Sequence, residues 1–361
     1  MGITATIAKQ IEDRFEKSQD DLVLQASDFS LKGLREMVEN EVIDLSPTYQ
    51  RRERWEVQRQ SQLIESFLLN VPVPPIYLAE EGYGAYSIID GKQRITAVSD
   101  FLSNSIRLKG LETFHELNGL RFRDLPSTLQ NALRIRPYLR VITLLKQSNP
   151  LLKYEVFIRL NKGGIELNNQ EIRNVAFRGP LNELIYSCAE NQHLRDALKI
   201  APDNKASAYK QMLDAEFVLR FFTLRTQWED FSGNLSRSMD QFMIENRELS
   251  TRQIAVLKDA FEEAIKTCND LWGEYKFQRF DGERWRKQAL AGLYDAQMLA
   301  VSSLTQVQRD KIRKFPNRVK KRTKKLFENS EFEEAVRIGT NTPSRLIARV
   351  KAVKEMLEAI A

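Results

Sequence analysis

Five consecutive residues could do chemistry together: Asp90, Gly91, Lys92, Gln93 and Arg94, set between the apolar run Ser87-Ile88-Ile89 and a helical pattern that begins at Ile95. This is the signature of a strand-to-helix turn. A helix N-terminus offers unpaired backbone N–H groups and a partial positive charge, and both suit a phosphate. Gly91 lets phosphate oxygens approach the backbone, because no Cβ stands in the way. Arg94 can fork onto two phosphate oxygens, Lys92 adds a second cation, and Gln93 can hydrogen-bond a third oxygen. Asp90 could hold a divalent cation such as Mg2+ or position a water. The plainer alternative is an ordinary strand end at which Asp90 caps the following helix.

Three other clusters carry polar chemistry. Tyr49, Gln50 and Arg51 follow Pro47 in an extended segment and could stack on and grip a sugar-phosphate backbone. Equally, Tyr49 could be buried with Arg51 paired to Glu53 or Glu65. Arg159 and Asn161 stand at a Gly163-Gly164 turn between two helical patterns, which could bring them to the rim of a nucleotide cleft. Just beyond, Asn168 and Glu171 have the spacing of a capping box, and Arg173 could lock the turn by an ion pair. The third cluster is charge alone. Between Arg309 and Lys325 there are ten Lys or Arg and one acid, Asp310, so this segment carries +9 in a chain whose total is +6. Such local basicity fits the backbone of DNA, with Arg318, Lys320, Lys321, Arg322, Lys324 and Lys325 as the contacts. A solvated Lys-rich helix is the competing reading.

Three motifs occur in an order that carries a family resemblance: Ser46-Pro47-Thr48-Tyr49-Gln50-Arg51 with Gln62-Leu63-Ile64-Glu65-Ser66-Phe67, then Asp90 to Arg94, then Phe157-Ile158-Arg159-Leu160-Asn161 with Asn168 to Asn174. From about Ser27 to Asn174 the chain resembles the N-terminal domain of GmrSD-type restriction enzymes, which looks related to the ParB and sulfiredoxin nucleotide-binding fold. The resemblance implies a phosphate site at Asp90, Gly91, Gln93 and Arg94, with Arg94 neutralising charge on a transferred phosphoryl group and Asp90 holding Mg2+ or a water. It implies a nucleoside triphosphate as ligand, DNA as partner, and a role in restriction or phage defence. The family's usual D-G-Q-Q-R has Lys92 at its third position here. Members carry a C-terminal nuclease domain of the His-Asn-His kind. This sequence has only His115 and His193, both isolated, so the expectation is a stand-alone form that has lost cleavage or relies on a separate nuclease subunit.

The elements that must position these residues form an α+β pattern. Strands are expected at 22–26, 42–45, 76–79, 85–89 and 139–145, and helices at 31–40, 56–70, 93–102, 126–135 and 150–160. Gly82-Tyr83-Gly84 should turn a hairpin. Beyond Pro150 the pattern is almost wholly helical, with long helices expected at 208–228, 251–272 and 283–304, and a last one opened by Thr342-Pro343. A small mixed-sheet domain over 1–200 is therefore expected, followed by a helical domain over 201–361. The boundary falls near 195–206, where apolar periodicity fades. A P-loop is absent, and Cys188 and Cys268 form no C-x-x-C pair. No apolar run approaches the roughly 18 residues that span a bilayer, so a cytoplasmic protein without membrane contact is expected. Self-association is left open. Two other function classes remain: a ParB-like nuclease using Asp90 with Glu65 or Glu171 as metal ligands, and a non-catalytic DNA-binding or assembly protein.

Overall fold

Ser87, Ile88 and Ile89 are all buried, so the strand that leads to Asp90 is covered on both faces. The computed structural model describes residues 4–45, 55–161, 168–203 and 206–361, and the chain divides into two compact units, 1–167 and 168–361. The division comes earlier than the expected 195–206, because the helices that follow Asn168 pack with the later ones.

In the first unit α1 (Ala5–Asp20) is followed by β1 (Leu24–Ser30), α2 (Leu31–Glu39) and β2 (Ile43–Asp44). Then come α3 (Val57–Leu68), β3 (Ile76–Gly82), β4 (Ala85–Asp90) and α4 (Lys92–Leu102). The unit closes with α5 (Ser127–Ile135), β5 (Tyr138–Leu144) and α6 (Pro150–Asn161). Five strands make one mixed sheet in the order β1-β5-β3-β4-β2. β3 and β4 form the expected antiparallel hairpin, while β5 runs parallel to β3 and β2 parallel to β4. On one face Leu34, Leu63, Ile64, Ile95, Val98 and Phe101 pack against Ile76, Leu78 and Ile88. Phe101 meets Phe122 edge to face at 5.6 Å. α6 packs against β4, with Tyr154 and Phe157 buried.

One acid inside this unit has a structural task. The Glu65 carboxylate accepts backbone N–H bonds from Thr113 (2.8 Å), Phe114 (2.9 Å) and Glu112 (3.3 Å). Burial pushes its pKa up, but the three donors outweigh that and hold it below the usual carboxylate range. Ser61, one turn earlier, accepts the Lys109 N–H in the same way. Glu65 therefore fastens α3 to the loop of residues 109–114.

The second unit is helical around one small ribbon. It contains α7 (Asn169–Ala176), α8 (Pro180–Ala189), α9 (Gln192–Ala197), α10 (Ser207–Lys210), α11 (Leu213–Arg225), α12 (Leu235–Glu245) and α13 (Thr251–Trp272). The ribbon is β6 (Gln278–Phe280) and β7 (Trp285–Ala289), followed by α14 (Ala291–Ser303), α15 (Gln306–Ile312), α16 (Pro316–Leu326), α17 (Ser330–Arg337) and α18 (Pro343–Glu358). The capping boxes at Asn168/Glu171 and Ser250/Gln253 form as their spacing predicts.

Two expected helices are different in the structure. The span 208–228 breaks at Met212, which is left-handed (φ 56°) and whose sulfur accepts the Asn174 amide at 3.0 Å. The span 283–304 is a helix only from Ala291. Before it, Asp281-Gly282 turns the chain into the β6–β7 ribbon: Gly282 is left-handed, and Asp281 Oδ1 accepts the N–H groups of Glu283 and Arg284. Such side-chain bonds compete with helix formation. Both cysteines are buried. Burial pushes Cys188 up to about 12 and Cys268 well above its ordinary value, so neither is a thiolate nucleophile.

The centre of this unit is a buried triad of charges. Asp295 on α14 accepts a two-pronged bond from Arg220 on α11 (2.6 and 2.7 Å) and a third bond from Arg349 on α18 (2.6 Å). Arg349 also donates to the carbonyls of Ala335 and Thr340, so one cluster ties four segments together. Removing one member leaves uncompensated charge in the core. Asp295→Asn should therefore lower the urea-unfolding free energy of the chain by about 3–5 kcal/mol; a loss below about 1 kcal/mol, the size of an exposed pair, would show the triad to be incidental.

Asp214, buried at the start of α11, makes a second prediction. Burial raises its pKa from 3.8 to about 6 despite the Ala215 N–H that it accepts. In the unfolded chain it ionises first, so its own contribution to stability is largest below pH 4, falls as pH rises towards about 6, and stays lower above that. Asp214→Asn, which keeps the Ala215 bond, should flatten this slope and stabilise the protein above pH 6, by at most about 3 kcal/mol. Thermal melts across pH 4–7 would read it.

Candidate functional site

The β4–α4 turn is built on one left-handed residue. Gly91 has φ 97° and is the N-cap of α4, so no side chain at the cap closes the first turn of the helix. A Cβ there would lie 2.8 Å from Ile76 Cγ1 and 3.1 Å from Arg94 Nη2. The site thus needs glycine twice, for its dihedral and for its space. Lys92, Gln93 and Arg94 are the first three helical residues, which puts their backbone at the positive end of the helix dipole.

Asp90 does not cap the helix. Its Oδ2 accepts Arg94 Nη2 at 2.7 Å, one helical turn on, and the same nitrogen donates to the Pro75 carbonyl at 3.1 Å. The side chain of Asp90 is 39% exposed and that of Arg94 only 15%. The acid is therefore the accessible partner, and the guanidinium lies mostly behind it. Among the described residues, Arg94 Nε is buried without a hydrogen-bond partner. A buried unpaired donor is costly, so an oxyanion that reached it would be favoured.

Gln93 has a positioning role. Its Oε1 accepts the Trp55 N–H at 3.0 Å, and Trp55 carries the Arg59 guanidinium over its ring at 4.6 Å. The chain is thereby held beside the turn just after residues 46–54. Tyr49, Gln50 and Arg51 lie outside the described residues. Arg159 is exposed on α6 and pairs with Glu155, one turn away, at 3.4 Å. Asn161 ends the same helix. Glu171 caps α7, as its spacing from Asn168 predicts, and Arg173 is fully buried against Asp240 (2.7 Å) and Ser236. Among the described residues no three of His, Cys, Asp and Glu gather as a metal cluster. Glu65 and Glu171, the suggested partners of Asp90 in a nuclease, are engaged with backbone N–H groups.

The basic segment folds as two helices with different tasks. In α15 and just after it, Arg309 and Arg313 bind Glu263, and Arg313 also binds Asp270, so these two cations fasten the segment to α13. In α16 Val319 and Thr323 face inward, and Thr323 Oγ1 accepts the Trp272 indole N–H at 2.9 Å. Arg318, Lys321, Lys324 and Lys325 are exposed, Lys320 and Arg322 half-buried, and none of the six is in an ion pair among the described residues. The Pro75 carbonyl and the close approach of Ile76 had no local signal in the sequence. The neighbouring ribbon did have one, the Asp281-Gly282 pair.

Residues 34–178 match the family model described as the GmrSD restriction endonuclease, N-terminal domain. This segment of the chain belongs to that domain family. The match runs past the first unit to include α7. No curated protein and no solved structure gives a match. No helix among the described residues is long and apolar enough to cross a membrane.

Gly91→Ala should lose the geometry of the turn as well as some stability, about 1–3 kcal/mol for a left-handed non-glycine residue against the Ile76 backbone. Urea unfolding reads the loss, and stability equal to wild type would mean that the turn relaxes without strain.

Proposed function

We propose that this chain, whose residues 34–178 form a GmrSD N-terminal domain, acts on DNA in a restriction or phage-defence system and hydrolyses a nucleoside triphosphate at the Asp90–Arg94 turn. The observation that carries the reading is the pairing of Asp90 with Arg94 at the start of a helix whose cap is glycine. The turn brings the Arg94 guanidinium to the positive end of a helix, with Lys92 as the first helical residue, and the Asp90 carboxylate that pairs with Arg94 is partly exposed. A triphosphate offers Arg94 a stronger partner than Asp90, because two of its oxygens can meet the guanidinium fork.

In this reading phosphate binding draws Arg94 away from Asp90 and frees the carboxylate. Arg94 then faces the charge that develops on the transferred phosphoryl group. Asp90 orients the attacking water or joins the shell of a nucleotide-bound Mg2+, an ion that commonly takes one or two carboxylates with the rest of its ligands from phosphates and water. Gln93 holds Trp55, and with it the start of α3, beside the turn. Arg159 and Asn161 remain candidates for outer contacts to the nucleotide. Cleavage of DNA would fall to a separate nuclease subunit.

The second reading is a non-catalytic DNA-binding or assembly protein. The same ion pair favours it, since Asp90 and Arg94 already satisfy one another without a ligand. The two readings separate on phosphate release from ATP, GTP, CTP and UTP with Mg2+, with and without plain or modified DNA. We expect turnover in wild type and a loss of about 10²–10³ in Arg94→Ala. No turnover and no nucleotide binding in any combination would overturn the hydrolytic reading and leave a binding module.

A further inference from the structure

We propose that the β6–β7 ribbon and α16 form one surface that binds the backbone of duplex DNA, with Arg284 and Lys287 of the ribbon as phosphate contacts beside Arg318, Lys321 and Lys325 of the helix. This deepens the DNA-acting reading above and does not depend on the hydrolytic one.

The two elements are joined by an aromatic cluster. Trp285 at the start of β7 stacks on Tyr275 (5.3 Å between rings), meets Phe280 of β6 edge-on (5.4 Å), and meets Phe327, the C-cap of α16, at 6.4 Å. From the helix, Lys320 lies over the Tyr275 ring at 5.8 Å and Lys324 over Phe280 at 4.6 Å. Ribbon and helix are therefore neighbours, and the lysines that line their seam lie over aromatic faces. Lys287 stands two residues beyond Trp285 on the same strand. Arg284 stands at the tip, where Asp281 fixes its backbone. Arg284 and Lys287 are exposed, and neither is in an ion pair among the described residues. Their neighbours Arg279 and Arg286 are tied to Glu333 and Asp281.

On α16, Arg318, Lys321 and Lys325 recur at intervals of three and four and share the face opposite the buried Val319 and Thr323. α16 and the ribbon (278–289) together hold ten Lys or Arg against two acids, Asp281 and Glu283. A helix of this width can lie in or along the major groove of B-DNA while a two-stranded ribbon follows the adjoining backbone. Single strands are the poorer fit. Proteins that hold them stack bases on open aromatic rings, whereas here the four rings are packed on one another. Double-stranded RNA is also a poorer fit, because its deep, narrow major groove does not admit a helix.

The test is fluorescence anisotropy of the full chain with a labelled DNA duplex across a salt series, with single-stranded DNA and an RNA duplex as competitors. Each lost phosphate contact lowers the slope of log affinity against log salt by roughly 0.9. We expect Arg284→Ala/Lys287→Ala to lower it by roughly 2 and Lys321→Ala/Lys325→Ala by as much. Arg237→Ala/Arg252→Ala is the control. Arg252 lies about 30 Å along α13 from the Trp272 anchor, and this pair should leave the slope unchanged. Because the substituted residues are exposed, thermal melting should match wild type and confirm an intact fold. An unchanged slope in the ribbon pair, the absence of duplex binding at low salt, or a single strand or RNA duplex that competes as well as DNA would each overturn the proposal. The assay reads binding without nucleotide, so failure of the hydrolytic reading and failure of this surface show separately.

Discussion

The candidate site depends on a backbone constraint at Gly91. Strand β4 arrives buried on both faces and α4 leaves at once, and only a left-handed residue without a side chain makes that change of direction against the Ile76 backbone. Everything chemical about the turn follows from it. Arg94 comes back over the strand end because it stands one helical turn beyond Asp90. The Pro75 carbonyl accepts its second bond because β3 lies beside β4. The prolines before β3 deliver that carbonyl in an extended link and cannot form a helix there.

The polar groups singled out by type divide into those that hold the fold and one pair that a ligand can compete for. Glu65, Gln93, Glu171 and Arg173 are all types that bind ligands in other settings. Here Glu65 and Glu171 accept backbone N–H groups, Gln93 accepts the Trp55 N–H, and Arg173 meets the half-buried Asp240. By contrast, the Asp90–Arg94 pair has one exposed member, so solvent or a ligand can compete for it. The second unit repeats this division among its cations. Arg220 and Arg349 are locked on Asp295, and Arg309 and Arg313 are locked on acids of α13. The lysines of α16 carry the charge that is left for a partner.

What the sequence by itself determined is mostly local. Apolar periodicity and punctuation by Gly and Pro located the five strands of the sheet and the β4–α4 turn, because each depends on neighbours within a few residues. The capping boxes at Asn168 and Ser250 were legible for the same reason. The three motifs were enough to identify the domain family over most of the segment that matches it. Tertiary structure decided which polar side chains were already committed. Glu65 is bound by N–H groups from residues about fifty positions away, and no spacing rule reaches that far. The break at Met212 depends on Asn174, and the charge triad joins residues 220, 295 and 349. The β6–β7 ribbon had a local signal in Asp281-Gly282, but the apolar residues of Ala291–Ser303 extended the helical pattern backwards over it. Packing of Trp285 against Tyr275 and Phe327 decides the outcome, because a half-buried aromatic on a ribbon buries more apolar surface than an exposed helical turn would.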